Sequence, residues 1–300
     1  MKKKTYLFAL MAMVLTLGSC SDNENGIGGE TSKYITVSTS IGNMTRVATD
    51  AKGGQTFEEG DEISVYAWTG DATIAPDASE RVVNNAINKL TNGSWVSTPQ
   101  MLWKNNRDKH YFIGVYPTAA ISDLSAGEYT FDANKQTESD LLVAVNPDGL
   151  SYSADAQQTV PLTFTHVMAK LAVNLTYKNQ WGGIPTVEKV VVGNAAKEAT
   201  INYLTKVVTP STTAKEDFSL PEITENTKYV SVIIPQEEVT QLTIVIGGKN
   251  FVYDNGTPFK LESGKITTVN LEVGRDEIKL GDVKITNWED GSTFSGEALN

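Results

Sequence analysis

The chain has 300 residues, one cysteine, two histidines and a formal net charge of −11 at neutral pH. Nucleic-acid binding requires basic patches that neutralise phosphates, and the sequence has none, so nucleic acid is not an expected partner. A single cysteine excludes a disulfide within the chain. Stability must then come from buried apolar area, for which a hydrophobic content of 40% is sufficient.

The first residues have the pattern of an export signal. Lys2, Lys3 and Lys4 precede a mostly apolar run over residues 6–17, which is shorter than the roughly 20 residues that span a bilayer as a helix. A basic start, a short apolar run and small residues after it predict a secretory signal peptide over residues 1–19. No later stretch of the sequence is apolar enough to cross a membrane.

The signal ends in Leu17-Gly18-Ser19-Cys20, which resembles a bacterial lipobox. In a lipobox the thiol is acylated and the cysteine becomes the new N-terminus, so we expect lipidation at Cys20. The alternative is an ordinary signal peptide with an incidental cysteine, although a lone exported thiol calls for a role. Because each buried CH2 gains about 0.8 kcal/mol, several acyl chains would hold the chain firmly at a membrane.

The segment after the signal is a tether followed by a strand. Residues 21–33 are polar and rich in glycine, which is typical of a flexible tether. From Tyr34 onward, apolar and polar residues alternate. A spacing of two places Ile35, Val37 and Ile41 on one face of a predicted strand.

The rest of the chain predicts an all-β fold. Short alternating runs indicate half-buried strands, at residues 63–67, 111–116, 141–145, 171–177, 187–192, 229–234, 242–246 and 269–273. Many short strands indicate β-sandwiches. A Pro-rich polar stretch over residues 148–161 places a boundary near residue 165, which gives an N-terminal sandwich over 47–165 and a C-terminal one over 166–300.

Two further local predictions follow from residue spacing and turn chemistry. Apolar residues on one helical stripe predict a single helix, carried by Val83, Ala86, Ile87 and Leu90. Residues that tolerate a positive φ predict turns between strands, at Asp254-Asn255-Gly256, Ser263-Gly264 and Asp290-Gly291.

No catalytic, metal or cofactor motif is visible. His110 and His166 are far apart in sequence and are interpreted as structural residues of strands, because a His and Cys metal site needs several ligands in register. The acidic run at residues 58–62 is interpreted as a solvated turn rather than as an acid–base or calcium site. In a β-rich protein, tryptophans are more often core or sandwich-edge residues than a sugar-stacking platform; here they are Trp68, Trp95, Trp103, Trp181 and Trp288.

An ordered set of motifs resembles the fimbrillin family of Bacteroidales surface pili and its lipoprotein relatives. After the lipobox and a strand comes Asn43-Met44-Thr45-Arg46, and then a segment similar to the family's F-x-x-G-D-x-I-x-V pattern at residues 57–65. Further matching pieces cover nearly the whole chain; they lie at residues 101–104, 111–117, 139–144, 164–171 and 285–291.

The resemblance implies two tandem transthyretin-like β-sandwich domains after a lipoprotein signal peptide. It also implies that the lipidated precursor reaches the outer membrane surface, where an arginine-specific protease cuts between Arg46 and Val47. Residues 20–46 would then be the tether and a removable leader strand. Loss of that strand would open a groove for a strand from another pilin subunit, and residues 283–299 are the candidate donor.

Three functions stay open on the sequence alone. The first is a pilus subunit precursor that assembles with identical or paralogous subunits in a fimbrium. The second is a permanently anchored outer-membrane adhesin that binds a glycan or a host protein. The third is a hydrolase on a β-sandwich, which nothing in the sequence favours; no cofactor is expected and the chain is not expected to be an enzyme.

Overall fold

The structure, a computed structural model, describes residues 34–42, 56–153 and 158–288. The fold over these ranges is built from β-strands and one 3-10 turn at Asn179–Trp181, which confirms the predicted all-β class. Across the same ranges, no helix is long and apolar enough to span a membrane.

The first eight strands come from the N-terminal half. They are β1 (Thr36–Ile41), β2 (Glu62–Thr69), β3 (Val83–Thr91), β4 (Ser94–Thr98), β5 (His110–Tyr116), β6 (Gly127–Thr130), β7 (Leu142–Leu150) and β8 (Thr159–His166). All but β6 form a seven-stranded sheet in the order β1-β8-β7-β5-β2-β3-β4. Strand β1 runs parallel to β8, while the other neighbours in this sheet are antiparallel.

The remaining strands come from the C-terminal half. They are β9 (Ala169–Tyr177), β10 (Val187–Ala196), β11 (Glu198–Asn202), β12 (Val207–Pro210), β13 (Lys215–Ser219), β14 (Glu222–Thr224), β15 (Lys228–Ile233), β16 (Gln236–Ile246), β17 (Lys249–Leu261), β18 (Lys265–Val273) and β19 (Ile278–Asn287). All of these but β11 and β12 form a five-stranded sheet, β14-β15-β9-β18-β19, and a four-stranded sheet, β13-β10-β16-β17.

A small third sheet joins the two halves of the chain. Its order is β12-β11-β6, so that β6 from the N-terminal half pairs with β11 from the C-terminal half. The division proposed near residue 165 falls at the end of β8, and this ladder crosses it.

The seven-stranded sheet buries both of its faces. One face carries Ile63, Val65 and Phe112 and packs in a core that belongs to this sheet, which we call the N-terminal core. The other face carries Tyr66 and Ile113 and joins a larger core made mostly of residues from the C-terminal half. Burial on both faces explains why β2 has an unbroken run of buried residues rather than an alternating one.

The helix predicted around residues 83–90 is wrong, since these residues lie in β3. The apolar spacing of three between Val83 and Ala86 results from a bulge. The register against β2 shifts there, and Asn85 has a positive φ of 59°. An extra residue in one strand displaces the alternation by one position, and this imitates the first turn of an amphipathic helix.

Of the predicted turns, one is confirmed and one is wrong. Gly264 has a φ of +67° in the turn between β17 and β18. The segment 254–256 lies inside β17, where the ladder with β16 is irregular; the chain instead reverses before β17, at Gly247 and Gly248, which both have positive φ. The turn expected at residues 290–291 lies outside the described residues.

Candidate functional site

The candidate site is the slot that β1 occupies at one edge of the seven-stranded sheet. Six consecutive residues of β1 are in register with β8, from Thr36 opposite Thr159 to Ile41 opposite Phe164. The amide of Gly42 adds a hydrogen bond to the carbonyl oxygen of Phe164 at 2.8 Å. Backbone pairing therefore holds the whole length of β1 on this side.

The other side of β1 contacts β4, which is at the opposite edge of the same sheet. The indole Nε1 of Trp95 in β4 donates a hydrogen bond to Thr39 Oγ1 at 3.0 Å. The amide of Ile35 donates to the carbonyl oxygen of Met101, just beyond β4, also at 3.0 Å. The sheet therefore curls until its two edges meet, and β1 fills the space between β8 and β4.

The inward face of β1 is part of the N-terminal core. Ile35 and Val37 are buried, and Ile41 packs against the same cluster. Burial of each side chain contributes about 1.5–3 kcal/mol. Apolar residues in the same core as this face include Met101, just beyond β4, and Val160, Leu162 and Phe164 of β8.

Gly114 allows two side chains of β8 that line the slot to pack closely against β5. A Cβ atom on Gly114 in β5 would be 2.6 Å from Cζ of Phe164 and 3.1 Å from Cδ1 of Leu162. Only a residue without a side chain lets β8 place these two groups against β5.

Phe57 supports the slot from the chain segment that precedes β2. Its ring makes edge-to-face contacts with Trp95, Tyr116 and Phe164, with centroid separations of 5.3, 5.3 and 5.1 Å. Such contacts contribute about 0.5–1.5 kcal/mol each beyond area burial. Phe57 thereby fixes the orientation of the Trp95 indole that faces β1.

The described part of the chain excludes the residues predicted for modification. Cys20, Arg46 and Val47 lie outside it, as do residues 289–299 of the candidate donor. Residues 283–287 of that donor lie in β19, where each pairs with a residue of β18.

Both histidines are buried residues at strand ends, as predicted. His110 Nε2 accepts the amide N–H of Lys104 at 3.0 Å, and Nδ1 donates to the carbonyl oxygen of Asp108 at 3.1 Å. Burial lowers the pKa of His110, which keeps its imidazole neutral. His166 Nδ1 lies 2.8 Å from Oδ1 of Asp140.

The acidic run is confirmed as a turn, with Gly60 at a φ of +98°. Its carboxylates have separate local roles. Glu59 accepts hydrogen bonds from the amides of Asn92 and Gly93 in the β3–β4 turn, and Glu62 pairs with Lys89 at 3.0 Å. Within the described ranges, no group of three or more His, Cys, Asp or Glu side chains could hold a metal ion.

The tryptophans are confirmed as core or half-buried residues. Trp68 and Trp288 are buried, and Trp95, Trp103 and Trp181 are half-buried. Sequence reasoning gave Trp95 a core or sandwich-edge position and missed its hydrogen bond to Thr39. The closure of the sheet creates that contact, so no local signal in the sequence could have indicated it.

Comparisons with known proteins agree with this architecture. The family described as fimbrillin-like matches residues 45–288. A Bacteroides uniformis protein assigned as the fimbrium subunit Fim1C is 24% identical over 315 residues, covering 97% of each chain.

Two solved structures with a similar fold are from Bacteroides species. A protein of Bacteroides ovatus assigned to cell adhesion has a TM-score of 0.64 at 18% identity and covers 85% of this chain and 98% of its own. Its counterpart from Bacteroides uniformis has a TM-score of 0.63 at 19% identity, with 85% and 99% covered. From the family match over most of its length, the chain belongs to the fimbrillin-like family of fimbrial subunits.

Proposed function

We propose that this chain is the precursor of a pilus subunit that is exported as a lipoprotein, trimmed by an arginine-specific protease and assembled by strand exchange. The observation that carries the proposal is the position of β1 between β8 and β4. Strand β1 is the first described strand, it joins the two edges of its own sheet, and it buries apolar side chains there.

Removal of β1 would leave two kinds of unsatisfied surface. The backbone groups of β8 that pair with β1 would lose their partners, and buried polar backbone groups need partners. The apolar groups behind it, Val160 and Phe164 among them, would face water. An extended strand from another subunit supplies both backbone pairing and apolar side chains, which is β-augmentation.

The proposed processing site falls in the sequence between β1 and β2. Cleavage after Arg46 would separate residues 1–46 from a chain that starts at Val47, so the lipid on Cys20 would leave with the leader. Before cleavage, that lipid would hold the precursor at the outer membrane. Fimbrillin-like family membership and the likeness to a fimbrium subunit support assembly with other pilin subunits at the cell surface.

A protease experiment on the full chain tests the processing step. We expect an arginine-specific protease to produce a fragment that starts at Val47, and the Arg46→Ala variant to resist this cut. Of the other arginines, Arg81 is buried, while Arg107 and Arg275 are exposed and serve as internal controls for protease activity. Cleavage at Arg107 and Arg275 while the bond after Arg46 stays intact would contradict the proposal.

Assembly and anchoring need separate measurements. Trimmed protein, either alone or mixed with a paralogous subunit, should form oligomers on size-exclusion chromatography, whereas the Arg46→Ala variant should remain monomeric. Labelled palmitate should enter the wild-type protein in cells and not the Cys20→Ser variant. Trimmed protein that stays monomeric at high concentration would remove self-assembly from the proposal, leaving a paralogous subunit as the partner.

The second candidate is a permanently anchored adhesin, which the similar folds of proteins assigned to cell adhesion support. The N-terminus of the protein isolated from the cell surface separates the two. An acylated Cys20 at the N-terminus favours the adhesin, and Val47 at the N-terminus favours the trimmed subunit.

A further inference from the structure

The inward face of β1 has apolar residues at two positions and a polar residue at the next. Ile35 and Val37 are buried among apolar side chains. Thr39, next on the same face, is half-buried, and its hydroxyl oxygen accepts the hydrogen bond from Trp95 Nε1 at 3.0 Å. The slot therefore presents two apolar positions followed by a hydrogen-bond donor.

The Trp95 indole N–H needs a hydrogen-bond acceptor on the strand that occupies the slot. An indole N–H can only donate, and the contact with Phe57 at 5.3 Å holds the Trp95 ring in place. A strand with valine in place of Thr39 would fill the same volume but offer no acceptor. The half-buried indole N–H would then lack a hydrogen-bond partner. An unsatisfied donor away from water costs free energy, whereas a solvated donor bonds to water.

The outward face of β1 adds hydroxyl contacts with β8. Thr36 and Thr159 lie with their Oγ1 atoms 3.2 Å apart, and Ser40 Oγ donates to Thr163 Oγ1 at 3.2 Å. These pairs are exposed, so they contribute less than the Trp95 contact. Both are consistent with a single register of the strand in the slot.

We propose that the slot selects its incoming strand by side-chain pattern. The pattern is an apolar residue at each of the positions of Ile35 and Val37, followed by serine or threonine at the position of Thr39. Trp95 recognises the hydroxyl group by donating a hydrogen bond to its oxygen. This inference rests on the proposed exchange of β1 and names the chemistry of the partner strand.

The candidate donor of this chain lacks that pattern. Val283 and Ile285 are spaced by two but are followed by Asn287, and all three are paired with β18. Residues 289–300 contain no two apolar residues spaced by two with a hydroxyl two positions later. Under this selection rule the C-terminal segment of a second copy does not enter the slot, and the donor is a strand of another subunit that carries the pattern.

An exchange assay on the full chain tests the selection. A unique protease site placed between Arg46 and Val47 allows β1 to be cut free without relying on the natural processing step. The cut protein is then incubated with fluorescent peptides that copy residues 34–42, the same residues with Thr39→Val, or residues 283–299. Retention of each peptide is measured on wild-type protein and on the Trp95→Phe variant.

We expect the peptide that copies residues 34–42 to bind wild-type protein roughly fivefold more tightly than its Thr39→Val form, as for the loss of one hydrogen bond. The two peptides should bind equally to Trp95→Phe, and the 283–299 peptide should not bind. Equal binding of the first two to wild-type protein, or binding of the 283–299 peptide, would overturn the inference. If no peptide enters the cut protein, the proposed strand exchange itself fails.

A double-mutant cycle in the uncut chain tests the selecting contact without any exchange. We expect Thr39→Val and Trp95→Phe to be non-additive, with a coupling of about two- to tenfold in the unfolding equilibrium constant. Additive effects would overturn the role of Trp95 whether or not peptides enter the slot.

Discussion

The indole ring of Trp288 lies flat against the imidazole ring of His166, with centroids 4.1 Å apart and planes within 8° of each other. The ammonium group of Lys170 also lies over the indole, 4.4 Å from its centroid. His166 ends β8 and Lys170 is in β9. Trp288, which follows β19, therefore ties the end of the C-terminal sheet to the connection between the two halves.

Replacement of Trp288 by alanine should destabilise the protein by about 3 kcal/mol, because it removes a buried aromatic ring together with its stacking contact with His166 and its cation–π contact with Lys170. Trp288→Phe keeps a ring and should lose less. Urea unfolding followed by circular dichroism measures both, with Val252→Ala at an exposed position as the control. If the Trp288→Ala variant had the same free energy of unfolding as the wild type, the stack would contribute nothing to stability.

Gly114→Ala should cost about 1–3 kcal/mol, because the new methyl group would overlap the ring of Phe164. Shortening the opposing side chain should relieve the overlap. The penalty for Gly114→Ala is therefore expected to be smaller in a Phe164→Leu background than in the wild type. Thermal unfolding of the two single variants and the double variant measures this difference, and an equal penalty in both backgrounds would rule out the steric explanation.

The stability of the protein should fall on acidification, in part because of His110. Burial lowers the pKa of this imidazole from its ordinary value of 6.5, so below pH 6.5 the unfolded chain binds a proton that the folded chain does not. The stabilisation is complete above pH 6.5 and is lost as the pH falls, by at most about 1.4 kcal/mol per pH unit.

The urea unfolding midpoints of the wild-type protein and of His110→Gln, each measured at pH 7.5 and at pH 5.5, test this prediction. The decrease between the two pH values should be smaller in the variant. His166 is present in both proteins and so does not affect the difference. An identical decrease would mean that His110 does not contribute to the pH dependence.

Arg81→Lys should destabilise the protein by about 1–3 kcal/mol. The buried guanidinium donates to the carbonyl oxygens of Ile121 at 2.7 Å and Ser122 at 2.6 Å, and to Asn84 Oδ1 at 2.9 Å. An ammonium group cannot reproduce that planar arrangement of donors. Arg107→Lys, at an exposed position, is the matched control and should leave the unfolding midpoint unchanged.

Strand positions could be predicted from the sequence wherever alternation was regular. The predicted runs in β1, β9 and β18 have apolar residues at every second position apart from Thr39, and these strands are confirmed. β3 was mistaken for a helix because a bulge at Asn85 broke the period, and periodicity cannot separate a bulged strand from a short helical stripe.

The site was harder to predict than the strands. The apolar face of β1 is visible in the sequence, and so is the aromatic residue Phe57. The hydrogen bond between Trp95 and Thr39 exists only because the seven-stranded sheet curls until β1 and β4 meet. Curling depends on the twist accumulated over many strands, and no short stretch of sequence encodes it.

The ladder between β6 and β11 has a mechanical consequence for a protein that is part of a fibre. Any tension that draws the two halves of the subunit apart must break these backbone hydrogen bonds, from Thr130 opposite Glu198 to Gly127 opposite Ile201, as well as extend the connection after His166. Besides the core that the halves share and the stack of Trp288 on His166, paired backbone thus joins them at a place distant in sequence from their covalent connection, and it can transmit a load from one half to the other.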